Sequence, residues 1–331
     1  MKAQSFHRFK NKNVLITGGL GFIGSNLTIR LVELGANVTI LDTLIPEFGG
    51  NKFNILPVKH KVKVKIGDMR NPATIKRVVI DKDIIFNLAG TLSHIDSMKD
   101  PFVDLDINCR AQLCLLEACR KYNNKVKIVF AGTRNQYGKA IYLPVDEKHI
   151  QEPTDINGIN SIAAEKYHLL YNRIYGIKAV SVRMTNTYGP RHQMEHSKQG
   201  VLNWFIRLLM DGKTVQLYGD GSQIRDINYV DDVVNALLLC AKSQKANGEI
   251  YNLGGKPITL KEFVEKTIEI LGMGEYKIIK FPEERKSIEI GNYVADIKKI
   301  KEELGWQPRI TLEEGIRKTI DYYKKYKKYY W

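Results

Sequence analysis

The stretch VLITGGLGFIG, residues 14–24, decides the fold of this chain. Val14–Thr17 is a short run of branched apolar residues closed by Thr, the pattern of a buried strand. Glycines follow at 18, 21 and 24. In a strand-to-helix corner they serve a tight turn, a close backbone approach to a pyrophosphate and close helix–strand packing. The helix that opens near Phe22 and Ile23 then aims its free N–H groups at the phosphates. A second strand ends in Asp42, 18 residues after Gly24. A carboxylate there accepts hydrogen bonds from both hydroxyls of an adenosine ribose and repels a 2′-phosphate, which favours NAD over NADP. The competing reading is a glycine-rich turn beside a surface Asp.

Outward from this corner the first half alternates strands and helices. Val14–Thr17, Val38–Asp42, Val62–Ile66, Ile84–Leu88, Val126–Ala131 and Ala179–Met184 read as short, nearly continuous apolar strands, the mark of a parallel sheet covered on both faces. Ser25–Leu34, Pro101–Tyr122 and Ser161–Tyr175 read as crossover helices. Later segments predict helices at Val201–Met210, Tyr229–Ala241, Thr259–Leu271 and Thr311–Lys325 and a strand at Ile250–Leu253. The expected fold class is α/β: a doubly wound (Rossmann) domain over residues 1–190, then a smaller α/β lobe over 191–331, some of whose segments return to the first domain.

A chain of 331 residues can bury substantial cores. No apolar run reaches membrane-spanning length, and the N-terminal MKAQSFHRFKNKN lacks the apolar core of a secretory signal, so a cytoplasmic location is the default expectation. Cys109, Cys114 and Cys119 recur every five residues and cannot share a helix face. With Cys240 they read as small packing residues, and no metal site is expected. The net charge of +15 comes from lysines spread along the whole chain, which argues for a solvated surface rather than a nucleic-acid partner. Only the tail YYKKYKKYYW, residues 322–331, mixes bases and aromatics densely; it reads as the solvated end of a last helix, with contact to a membrane or acidic partner as the alternative.

These motifs, in this order, resemble the extended short-chain dehydrogenase/reductases that epimerise or dehydrate nucleotide-sugars (UDP-glucose 4-epimerase-like and CDP-tyvelose epimerase-like enzymes), over roughly Asn13 to Tyr323. Beyond the glycine loop, the resemblance assigns Asp68 and Met69 of GDMR to adenine, and Leu88, Ala89 and Gly90 of NLAG to the nicotinamide end. It makes Asn108 a prop for the active-site backbone and Thr133 of GTRNQYG a catalytic hydroxyl. It gives the substrate diphosphate Asn186 of RMTNTYGPR, Arg225 of RDINYVDD, and Arg285, counts Arg191 among the substrate-binding residues, and gives the nucleotide base the regions of Gln216 to Tyr218 and Val201 to Trp204. Guanidinium groups suit a diphosphate because they bind it bidentately.

One departure is central. The family's catalytic Tyr and Lys lie four residues apart on one helix face; here Asn157 stands at the Tyr position and Ser161 at the Lys position of NGINSIAAE. An amide transfers no proton at useful pH, and a serine supplies no charge to lower a phenol's pKa. His94 of LSHIDS, just after the nicotinamide loop, is the candidate replacement acid/base, with a structural histidine as the rival reading. Tyr137 and Tyr188 are expected to pack or to touch substrate.

The resemblance implies an NAD-dependent nucleotide-sugar epimerase or dehydratase acting through a transient keto-sugar in cell-surface polysaccharide synthesis. Epimerase is preferred, because Arg134 and Asn135 replace the dehydratase acid and base after Thr133. The alternative is a weakly active or inactive NAD/nucleotide-sugar-binding homologue with a regulatory or assembly role. The resemblance also implies a homodimer formed by Pro101–Tyr122 and Ser161–Tyr175 in a four-helix bundle, and no membrane insertion.

Overall fold

The computed structural model describes residues 8–282 and 289–331. In chain order the first domain contains β1 (Asn13–Thr17), α1 (Phe22–Glu33), β2 (Asn37–Asp42), β3 (Val62–Ile66), α2 (Pro72–Val79), β4 (Ile84–Asn87), α3 (His94–Lys99), α4 (Pro101–Leu105), α5 (Ala111–Tyr122), β5 (Lys127–Thr133), α6 (Ile156–Tyr175) and β6 (Lys178–Met184). The later chain adds β7 (Asn186–Tyr188), α7 (Val201–Met210), β8 (Val215–Tyr218), β9 (Ile224–Tyr229), α8 (Val230–Lys242), β10 (Ile250–Asn252), β11 (Lys256–Thr259), α9 (Leu260–Leu271), β12 (Tyr276–Ile279) and helices at Lys298–Leu304 and Leu312–Tyr326.

The main sheet has seven strands in the order β10-β6-β5-β4-β1-β2-β3, and every neighbouring pair is parallel. Val14, Leu15, Ile16, Ile85 and Phe86 are fully buried, as strands covered on both faces require. The winding reverses between β1 and β4, and a crevice opens there at the carboxyl ends of the strands. The seventh strand, β10, comes from beyond residue 190 and pairs with β6. The rest of the later chain carries two small sheets, β11-β9-β7 and β12-β8.

Three elements differ from expectation. The segment Pro101–Tyr122 is interrupted by a π-helical turn at Asp106–Arg110. Such bulges re-aim side chains and recur at functional sites. Helix α6 starts five residues earlier than expected, because Asp155 caps it by accepting the Gly158 N–H at 2.7 Å.

The C-terminal tail is also only partly solvated: its lysines are exposed, while two of its tyrosines are buried. The helix Leu312–Tyr326 and the turn after it press Tyr323, Tyr330 and Trp331 against Met194 and Phe53. Tyr330 Oη bonds Asn54 Oδ1 at 2.5 Å, while Lys327 points outward to Asp211 at 2.6 Å. The tyrosines that made the tail look like a surface feature form a core of their own. The four cysteines are free; Cys109, Cys119 and Cys240 are buried and Cys114 is partly so. Among the described residues no helix is long and apolar enough to cross a membrane.

Candidate functional site

The glycine corner has the tightness its sequence implies. Gly18 adopts φ +70°, and a Cβ on Gly24 would lie 2.2 Å from the Gly18 carbonyl oxygen. A side chain at either position would push helix and loop apart. Gly21 caps α1 without a side-chain hydrogen bond, so the helix start keeps backbone donors free. A cleft of about 350 Å³ lies over this corner.

Asp42 borders the cleft and accepts N–H bonds from Leu20 at 2.9 Å and Leu44 at 2.8 Å. Burial raises its carboxyl, and those two N–H groups oppose the rise. A carboxylate has about four lone-pair sites, so this fixed group keeps acceptor capacity for sugar hydroxyls. Thr17 ties the neighbouring loop down: its hydroxyl donates to Asn87 Oδ1 at 2.8 Å and accepts from Leu88 N and Ala89 N at 3.1 and 3.2 Å. Asp68 is forked by Arg70 at 2.6–3.1 Å, which holds its carboxyl below the usual range.

All twelve sequence-predicted cofactor residues line this one cleft: Gly18, Gly21, Phe22, Ile23, Gly24, Asp42, Asp68, Met69, Leu88, Ala89, Gly90 and Asn108. Asn108 also props the backbone, accepting Thr91 N at 2.9 Å and donating to the Thr91 carbonyl at 3.1 Å.

At its far end the cleft reaches Thr133, Ser161 and His94. His94 Nδ1 is hydrogen-bonded to Asp155 Oδ2, and its Nε2 faces Asn135 Nδ2 at 3.2 Å. Burial pushes the Asp155 carboxyl up, but the bond to His94 and the cap to Gly158 hold it below its usual value. With Asp155 ionised, Nδ1 carries the proton and Nε2 is the basic nitrogen. Thr133 Oγ1 accepts Asn135 N at 3.2 Å, so Asn135 links the hydroxyl and the imidazole.

Asn157 is not at the cleft wall. It is fully buried, and its Nδ2 donates to the Thr91 carbonyl at 2.8 Å and to Asp104 Oδ2 at 3.0 Å. Asp104 also accepts from Thr91, Asn108 and Asn160. A residue too short to reach the cleft has joined a polar network behind it, and this corrects its expected catalytic placement. Neither Asp104 nor Asp155 was singled out by the sequence, because their partners are long-range.

The expected substrate residues divide. Asn186 lines the cleft. Arg191 turns away to Asn26 Oδ1 and the Asn54 carbonyl. Gln216 is exposed on β8, and Tyr218 packs beside Phe281 with ring centroids 5.4 Å apart. Arg225 is drawn into an ion pair with Glu289 at 2.6 Å and leaves the cleft wall. Arg285 lies outside the described residues. Tyr137 and Tyr188 are buried packing residues, bonded to Asn252 and to the Leu312 carbonyl. No lysine lines the cleft among the described residues, and they hold no cluster of metal-ligating side chains. A cation the sequence did not assign, Arg134, does line it.

Comparison with known proteins fits this geometry. The family model described as GDP-mannose 4,6 dehydratase matches residues 15–319. A Methanocaldococcus jannaschii protein named as a candidate UDP-glucose 4-epimerase is 36% identical over 94% of this chain and 98% of its own. The structure of a Thermotoga maritima UDP-glucose 4-epimerase with UDP-glucose superposes with a TM-score of 0.85 at 32% identity, covering 95% of this chain and 99% of that one. A Thermus thermophilus UDP-glucose 4-epimerase in complex with NAD gives 0.83 at 31% identity, over 94% and 99%.

Proposed function

Because the chain belongs to the GDP-mannose 4,6-dehydratase family, and so to the extended short-chain dehydrogenase/reductases that rework nucleotide-sugars, we propose that it is an NAD-dependent nucleotide-sugar epimerase. The observation that carries this reading is the single cleft running from the glycine corner and Asp42 to Thr133 and the His94–Asp155 pair.

The residues present fit NAD. Gly24 leaves room for backbone to approach a pyrophosphate, and Asp42 retains lone pairs for ribose hydroxyls. NAD, when bound, supplies a reversible hydride acceptor at a sugar carbon. The chain's own residues do the rest. Thr133 positions the sugar hydroxyl, and His94 Nε2 exchanges its Asn135 contact for that hydroxyl and takes its proton. Asp155 holds the imidazole in the required tautomer and balances the imidazolium that forms. The Asp104 network fixes the Thr91 backbone beneath the reacting end. Arg134 and Asn135 supply no elimination acid or base, which favours epimerisation over dehydration.

Residues 1–190, completed by β10 and α8, form the cofactor domain, and residues 191–331 form the nucleotide-sugar lobe. Asn186 meets the diphosphate, with Arg225 joining it by exchanging Glu289 for phosphate. The product serves cell-surface polysaccharide synthesis, a role resting on family membership alone. The enzyme is a homodimer: Ile159, Leu170 and Ile174 make an exposed apolar stripe on α6 beside exposed Phe102, Val103 and Leu105.

The test is incubation with NAD and a panel of UDP-, CDP-, GDP- and dTDP-sugars, with products read by NMR. A sugar inverted at one carbon supports the proposal. Tight binding with no turnover across the panel overturns it.

A further inference from the structure

Arg134 follows Thr133 at the carboxyl end of β5 and lines the reacting end of the cleft. Its guanidinium lies over the Tyr293 ring, 5.1 Å from the centroid. Nη1 is shut off from solvent and has no hydrogen-bond partner among the described residues. The nearby carboxylates do not bond it: Glu289 pairs with Arg225 at 2.6 Å, and buried Asp226 accepts Ala295 N at 2.9 Å through Oδ2, its Oδ1 having no partner among the described residues. Burial, with Arg225 beside it, pushes the guanidinium down to about 10, so it is still charged at neutral pH. A buried charge costs several kcal/mol unless an anion meets it. Among the described residues no carboxylate bonds the guanidinium directly; Asp226 and Glu289 act on it only through space.

We propose that Arg134 is the receptor for a carboxylate on the sugar, so that the preferred substrate is a nucleotide-linked acidic sugar such as a uronic acid. This rests on the nucleotide-sugar reading above and goes beyond it. The sugar, rather than the diphosphate, is the source of the anion because Arg134 sits between Thr133 and Asn135, and Asn135 contacts His94. On the mechanism proposed above, those residues border the reacting carbon. A carboxylate two or three bonds from that carbon falls within reach of a planar fork that binds carboxylate bidentately.

The experiment is calorimetry on the NAD-loaded protein. UDP, CDP, GDP and dTDP are compared first; the glucose and glucuronic acid conjugates of the tightest are then titrated into wild type, Arg134→Gln and Arg134→Lys. The expected result is at least about tenfold tighter binding of the glucuronic acid conjugate, consistent with a desolvated charge pair. That preference disappears in Arg134→Gln and is partly kept in Arg134→Lys, while affinity for the free nucleoside diphosphate holds in both. Equal affinity for the two conjugates overturns the inference. So does a Gln variant that weakens the bare diphosphate as much as its conjugates, which assigns the cation to phosphate. A chain that binds none of the four nucleoside diphosphates contradicts the enzyme reading itself, and the inference falls with it. Retained NAD binding and a cooperative melting transition show that the variants are folded.

Discussion

His94 and Asp155, 61 residues apart, form a hydrogen-bonded imidazole–carboxylate pair at the Thr133 end of the cleft. Asp155 is also the cap of α6, the helix that carries Asn157 and Ser161. His94→Ala is therefore expected to lower kcat by about 10²- to 10⁴-fold, the usual range for a general base, with NAD affinity unchanged. Single-turnover kinetics beside NAD titration separates the two effects. A variant with full turnover removes His94 from the chemistry.

The glycine corner and Asp42 are expected to govern cofactor affinity. Gly24→Ala forces a Cβ into the Gly18 carbonyl and is expected to abolish NAD binding. Asp42→Ala removes the charged acceptor and is expected to weaken NAD by about 1.5–3 kcal/mol, read by calorimetry. Loss in the first variant with no change in the second would keep the pyrophosphate site and discard the ribose role.

Acid destabilises the fold through two histidines. Burial pushes His168 and His192 down to about 4. Between that value and the unfolded value near ~6.5, the unfolded chain binds protons that the folded chain refuses. Stability is thus fully present above about pH 6.5 and falls on acidification toward pH 4, by up to about 3 kcal/mol for each histidine. Urea unfolding at pH 7 and pH 5 measures this; equal midpoints would contradict it.

Arg183 and Glu165 form a buried ion pair at 2.5 Å, with Tyr137 and Ser181 attached. Arg183→Met leaves Glu165 uncompensated and is expected to cost about 3–5 kcal/mol. Arg183→Met/Glu165→Leu is expected to recover much of that loss. A double variant as unstable as the single one argues against the charge as the cause.

Five of the six early strands were readable because each is a largely buried run rich in branched residues, whereas the edge strand Val62–Ile66 alternates with lysines and has no buried residue; the cofactor half of the site was readable because glycine spacing and Asp42 sit on adjacent elements. The long-range partners were not. Nothing local marks Asp155 as the mate of His94, or Asp104 as the hub that takes Asn157 out of the cleft. The ion pair of Arg225 and the packing of the tail were hidden for one shared reason. Their fates depend on Glu289 and on the packing around Phe53 and Met194, which no periodicity of their own segments displays.

The most direct test of the central claim mixes NAD-loaded protein with the nucleotide-sugar that binds tightest, following NADH absorbance and the product sugar together. A transient NADH signal and an inverted sugar, both lost in His94→Ala, are the expected result. Bound substrate with neither signal in the wild type would contradict the account.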